Sequence, residues 1–258
     1  MKAFKLIGAA AAATLLLLSS CLGESDNTFS NTSFAVGGIS EKNYSTVLNT
    51  ISSYGYMSLY SPALEGKIVN GECYIINFEV NMSSPENANA ATNGYYNATI
   101  AAMEVITMGN SVFSNVPDST KLADNELPLK NLMGGACIDG RLFLQSTLDM
   151  YKDQRNKYTL YWNRMDSDDL VKEDDIPTYN LFLRAVKDVD GTGSSATSMA
   201  EYRAFNIKSV LESVDKTESN KGSEIFNLKI NYLTSISEKD SSDLKWSSVK
   251  IPFQVTKQ

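Results

Sequence analysis

With 258 residues, 43% of them apolar and 21% charged, the chain has the composition of a packed globular protein rather than a disordered one. A net charge of −7 argues against nucleic acid as a partner, because that affinity comes chiefly from Lys and Arg neutralising phosphates. There is no histidine anywhere, which excludes Ser-His-Asp and Cys-His nucleophile systems, His-ligated zinc and imidazole-based pH switches.

Taken in order, the chain opens with Lys2 and Lys5 and an apolar run from Leu6 to Leu18. That run is shorter than the roughly 20 residues a permanent membrane helix needs. The pattern is that of a secretory signal peptide over residues 1–20. Its last four residues, Leu18-Ser19-Ser20-Cys21, look like a bacterial lipobox, in which the Cys sulfur takes a diacylglycerol as a thioether and becomes the first residue of the mature chain. Several acyl chains on Cys21 make attachment effectively permanent, so the membrane is a partner through lipid and not through a spanning segment. Loss of Lys2 and Lys5 takes the net charge from −7 to about −9. The acidic stretch Leu22-Gly23-Glu24-Ser25-Asp26 is similar to the surface-export signal of Bacteroidetes lipoproteins. The expected address is the cell envelope, anchored to the outer membrane, with the outer surface and the periplasmic leaflet both open.

The Ser/Thr/Asn-rich stretch from Asn27 to Ser33 predicts a flexible spacer, over residues 21–33 in all. Strands are then expected at Phe34 to Ile39, Tyr44 to Ile51, Tyr56 to Tyr60, Cys73 to Met82 and Ala98 to Met108. The second is ambiguous, since Tyr44, Val47, Leu48 and Ile51 match helical spacing while the Thr, Val and Ile content favours a strand; strand neighbours decide for a strand. The fourth alternates Ile76, Phe78, Val80 and Met82 with polar residues, so one face is core. Ser83 to Asn93, with Pro85, marks a loop. Five strands in about 75 residues suit a small closed barrel of OB type, over residues 34–114.

Residues 115–126 are polar, carry Pro117 and read as a linker. Beyond it, over residues 127–258, strands are expected at Ala136 to Tyr151, Lys157 to Arg164, Thr178 to Lys187, Glu201 to Ile207, Glu224 to Leu233 and Leu244 to Val255. Alternation such as Phe226, Leu228, Ile230, Tyr232 predicts an antiparallel β-sandwich of six or seven strands. Ser209 to Asp215 reads as a single helical turn. The fold class is therefore all-β.

This order, a lipobox, a short acidic spacer, a small barrel and a sandwich, resembles the NigD-like lipoproteins of Bacteroidetes. The stretches that carry the resemblance are Cys21-Leu22-Gly23, Asn70 to Phe78, Ile138 to Leu142, Tyr179 to Arg184 and Phe226 to Tyr232. It implies an OB-like N-terminal domain, an immunoglobulin-like C-terminal domain, an association with bacteriocin production or immunity, and no catalytic signature. No catalytic residue, metal ligand or cofactor is assigned.

Other motifs have rival readings. Asp188-Val189-Asp190-Gly191 has calcium-loop spacing but lacks the later acidic ligand, and a hairpin turn explains it. The acidic run Asp166 to Asp175 lacks a tightening Gly and reads as a solvated loop. Ser213-x-x-Lys216 and Ser247-x-x-Lys250 match Ser/Lys nucleophile spacing without the companion motifs. Carboxylate pairs are plentiful, yet nothing places two at the separation that glycoside hydrolysis demands. Cys73 and Cys137 each head an apolar run and read as free thiols in separate cores. Among 13 Tyr and two Trp, Tyr95 and Tyr96, in a Gly-bearing polar loop, and Trp162 are the candidate contact residues. The reading is a non-enzymatic, lipid-anchored envelope protein that binds a protein or surface partner. Its alternative is a glycan-binding accessory of a polysaccharide-uptake system.

Overall fold

The structure, a computed structural model, describes residues 27–113, 121–162, 171–173, 176–236 and 244–256. The expected signal peptide, Cys21, residues 115–120 of the expected linker and most of the acidic run after Trp162 lie outside the described residues. Two compact units divide between Ile106 and Thr107.

The first unit contains β1 (Thr28–Ile39), β2 (Thr46–Ser52), β3 (Gly55–Tyr60), β4 (Cys73–Asn81), a helical turn α1 (Ala90–Asn93), β5 (Tyr96–Asn97) and β6 (Thr99–Ile106). They form one sheet in the order β5-β3-β2-β1-β4-β6. Its two edge strands are joined by Ala98 alone, whose N–H donates to the Tyr60 carbonyl at 2.8 Å. Consecutive Cα atoms lie about 3.8 Å apart, so the sheet must curl until its edges meet there, as a barrel does. Leu48, Leu59, Tyr74, Ile76, Phe78 and Val80 fill the interior. The ambiguous second segment is a strand, with Val47, Leu48 and Thr50 buried.

The expected spacer is shorter than its composition suggested. Residues 28–33 are part of β1 and pair with β4 from Thr28↔Asn81 onward. Polar side chains are compatible with a strand here because the ladder is made by backbone, and Thr and Ser sit readily on a half-exposed sheet.

The second unit holds β7 (Asn110–Val112), β8 (Asn131–Ile138), β9 (Arg141–Lys152), β10 (Arg155–Tyr161), β11 (Val171–Glu173), β12 (Ile176–Val189), β13 (Thr192–Asn206), α2 (Lys208–Lys221), β14 (Ile225–Ile236) and β15 (Leu244–Gln254). One sheet runs β15-β14-β12-β10-β7 with β11 on β12, and the other runs β13-β9-β8. Both sheets face one core, in which Leu142, Leu144 and Leu148 meet Leu160, Leu181, Leu183, Phe226 and Leu228. The β8–β9 hairpin turns at Asp139 and Gly140, with φ of 50° and 72°, the left-handed pair that such a tight turn requires.

The chain is thus all-β, but its second unit departs from the expected all-antiparallel sandwich. β12 pairs parallel with β14, and β10 parallel with β7. The physical reason is the crossover: β13 and α2 intervene between β12 and β14, so β14 re-enters running the same way. α2 is 14 residues long and not a single turn, with Val210, Val214 and Glu218 buried along one face. Only two of those three are apolar, which weakens the helical period in the sequence. Residues 107–113, expected in the first barrel, belong to the second unit through β7. Residues 121–126, expected as linker, are packed there too, because Arg184 on β12 is buried and Glu126 supplies its counter-charge. Among the described residues, no helix is long and apolar enough to cross a membrane.

Candidate functional site

The best-defined surface feature of the first unit is the connection from β4 to β6, and a buried Asn fixes it. Asn87, next to Pro85 in a short 3-10 turn, donates from Nδ2 to the carbonyls of Asn81 (2.9 Å) and Asn97 (3.1 Å). Its Oδ1 accepts the Asn97 N–H at 2.7 Å. One side chain therefore ties the exit of β4 to β5. From the other side, Lys42 Nζ donates to the Ala91 carbonyl and Ser40 Oγ to that of Asn93, so the β1–β2 hairpin holds the same loop. Gly94 ends α1 with φ of 76°, a conformation Gly takes without a Cβ penalty.

This scaffold carries the candidate aromatic residues. Tyr95 is half-buried with its ring 4.8 Å from that of Tyr60, tilted by 34°. Tyr96 pairs with Leu59 and packs against the barrel interior. Both neighbours are half-buried, Tyr95 against Tyr60 and Tyr96 against the core. Trp162 does not join them. It is 7% exposed, belongs to the core of the second unit and meets Phe113 edge-on at 6.3 Å, so it offers no ring face to a ligand; an aromatic beside an acidic run can be core, and composition does not reveal it. Replacing Asn87 by Ala should cost the first unit about 2 kcal/mol, because the carbonyls it serves are left without a donor. Chemical denaturation followed by the tyrosine signal of this unit measures it.

The remaining motifs resolve locally. Asp188 is paired with Lys157 at 2.5 Å and Asp190 with Lys187 at 2.6 Å, in the β12–β13 turn where Gly193 has φ of 107°. Among the described residues, no group of three His, Cys, Asp or Glu is placed to hold a metal ion. Ser247 and Lys250 lie on β15, where residues three apart project to opposite faces, so they cannot meet. Ser213 and Lys216 are on α2, and the Ser213 carbonyl accepts Thr217 Oγ1. Cys73 and Cys137 are not bridged to each other and lie in different units; burial, with the charge of Asp139 second, pushes the Cys137 thiol up to about 12, which disfavours the thiolate form.

One polar cluster was not legible in the sequence. Glu201 on β13 accepts Tyr158 Oη at 2.6 Å and Asn156 Nδ2 at 2.9 Å on one oxygen, and Arg203 Nη2 at 2.8 Å on the other. The Arg203 guanidinium also lies 4.9 Å from the centre of the Tyr158 ring. Burial first, and Glu201 second, push the Tyr158 hydroxyl well above its ordinary value. Both oxygens of this carboxylate accept from the protein's own donors. Chemically it is a clamp between β10 of one sheet and β13 of the other, not a base awaiting a substrate. Its residues are 43 and 45 positions apart, with no periodicity that would have flagged them.

Comparison with known proteins places this fold. Residues 25–104 match the family model described as "Lipoprotein OB domain" (OB_BFO2992). The first unit is therefore similar to the OB domain of a Bacteroides-type lipoprotein, as its strand order suggested. An uncharacterised protein from Parabacteroides merdae is 24% identical with a TM-score of 0.76, covering 87% of this chain and 99% of that one. A putative lipoprotein from Bacteroides fragilis is 11% identical with a TM-score of 0.55, covering 89% and 98%. A NigD-like immunity protein from Bacteroides caccae is more remote, at 12% identity and a TM-score of 0.44 over 85% and 91%. No curated protein matches the sequence.

Proposed function

We propose that the protein is a non-enzymatic lipoprotein of the cell envelope, held by lipid on Cys21, whose first unit presents a preformed aromatic surface around Tyr95 to a protein partner. The observation that carries this reading is positional: the lipoprotein OB-domain match begins at residue 25, four positions after the lipobox Cys. Support for a binding role comes from the rigidity of the β4–β6 loop, since a surface fixed before contact loses less conformational freedom on binding. Support for the absence of catalysis comes from chemistry: there is no imidazole, and the carboxylates of Glu126, Glu201 and Glu218 are each engaged by the protein's own donors.

The anchor is tested by fractionation. Wild-type protein should incorporate labelled palmitate and sediment with membranes, and Cys21→Ser should lose the label and appear in the soluble fraction; a Cys21→Ser protein still bound to membranes sinks the anchor. The partner is tested by cross-linking in intact cells, where Tyr95→Ala should lose the cross-linked species and a Tyr44→Ala control should keep it. Tight binding on a glycan array, lost in Tyr95→Ala, would replace the protein partner by a carbohydrate.

A further inference from the structure

The tether between lipid and barrel is short. Cys21 precedes Thr28, the first residue of β1, by seven positions, which span at most about 25 Å when fully extended. The start of β1 is therefore the part of the first unit that an acylated Cys21 holds next to the bilayer. That end of the barrel is aromatic. Phe29 packs against Tyr54 with ring centres 4.6 Å apart and planes tilted by 40°, and meets Phe78 edge-on at 5.9 Å. Tyr54 is 64% exposed, and the cross-strand pair Ile51–Tyr56 beside it is exposed as well, Tyr56 by 56%. The Tyr54 turn is fixed, its N–H donating to Ser52 Oγ at 3.1 Å and Gly55 following with φ of 92°.

Exposure alone does not select this end, because Ile39, Tyr44 and Val69 are exposed near the other end of β1. Two features do. The first is the tether. The second is charge: the lysines of this unit within the described residues are Lys42, in the β1–β2 hairpin, and Lys67, two residues before Val69, whose carbonyl lies against Gly37. The Phe29 end thus has aromatic rings with polar tips and no cation, which suits the amphipathic bilayer interface rather than an anionic headgroup layer. β6 runs from Thr99, opposite Glu79, to Ile106, opposite Cys73, so the chain leaves this unit away from that end.

We propose that Phe29, Tyr54 and the Ile51–Tyr56 pair form a membrane-contact face that seats the barrel in the bilayer interface. The proposal rests on the lipid-anchor reading. It gives the barrel a fixed mounting, with the β1–β2 hairpin directed away from the bilayer.

The test uses the full lipidated chain in phosphatidylcholine vesicles carrying lipids brominated in the upper acyl chain, with Tyr54→Trp and, as a control, Tyr44→Trp, the latter position being 82% exposed. Emission added by the new Trp over that of the parent is the readout, and flotation with vesicles reports anchoring separately. The expected result is flotation of both variants, loss of roughly half or more of the added emission at position 54, as for a ring a few Å below the headgroups, no loss at position 44, and no change with ionic strength. Flotation without quenching at position 54, or equal quenching at both, overturns the contact face and leaves the anchor standing. Failure to float overturns the anchor and the face with it. Should Tyr54→Trp not fold, Tyr56→Trp takes its place.

Discussion

Glu126→Ala is expected to destabilise the second unit by about 4 kcal/mol, the range seen when one member of a buried ion pair is removed. Arg184 on β12 is buried and pairs through both Nε and Nη2 with the two oxygens of Glu126. Nη2 also reaches the Lys121 carbonyl at 2.9 Å, and the guanidinium lies 5.6 Å from the centre of the Trp246 ring. Without the carboxylate a cation stays in a low-dielectric site with no counter-charge, beside the Lys121 carbonyl and the Trp246 ring. The Ala123 N–H would also lose its acceptor, the Glu126 carboxylate at 2.8 Å, while the backbone bonds from Leu127 to Ala185 and from Lys187 to Asn125 would remain. In a unit of this size the midpoint of thermal unfolding should fall by roughly 10 °C. The double variant Glu126→Leu with Arg184→Met is the informative partner: it removes both charges, and most of the loss should be recovered. A double variant as unstable as Glu126→Ala would mean that packing of the segment, not pairing, is what matters.

The second large effect centres on Glu218, fully buried on α2. Its carboxylate accepts Tyr179 Oη at 2.5 Å, Lys221 Nζ at 2.8 Å and Ser223 Oγ at 2.7 Å. Burial alone would push this carboxyl up, but the three donors outweigh it and hold it below the usual range. A carboxyl lowered by folding contributes stability that is present above its unfolded value of about 4.3 and lost as the pH falls through the lower folded value. Glu218→Ala at neutral pH should cost about 3 kcal/mol, since the Tyr179 hydroxyl is left without its acceptor beneath the helix. Glu218→Gln should in addition flatten the acid limb: between pH 5 and 3 the wild type loses stability more steeply than the variant. Thermal unfolding across that range decides, and parallel slopes would remove Glu218 from the account of acid sensitivity.

Much of the first unit could be read from the chain because strands announce themselves by local alternation. Ile76, Phe78 and Val80 point into the barrel as their period of two requires. The Thr28–Ser33 piece of β1 was missed for the opposite reason, since its side chains carry no apolar signal and its partner β4 is more than 40 residues away. α2 was underestimated because one of its three buried positions is a glutamate, which looks like solvent-facing sequence until Tyr179, Lys221 and Ser223 surround it. Of the aromatic candidates, Tyr95 is half-buried while Trp162 went into the core, and no local feature separates the two.

What the sequence determined by itself was residue chemistry: an acidic body, strand periodicity, and the exclusion of imidazole chemistry, all of which depend on residue identity or on neighbours a few positions apart. The tertiary structure alone decided which strands run parallel, where the first unit ends, which carboxylates are buried, and which rings face out. Those depend on pairings across tens of residues, such as Arg184 with Glu126 and Tyr158 with Glu201. A charge or an aromatic ring is costly or useful only in the surroundings that folding gives it.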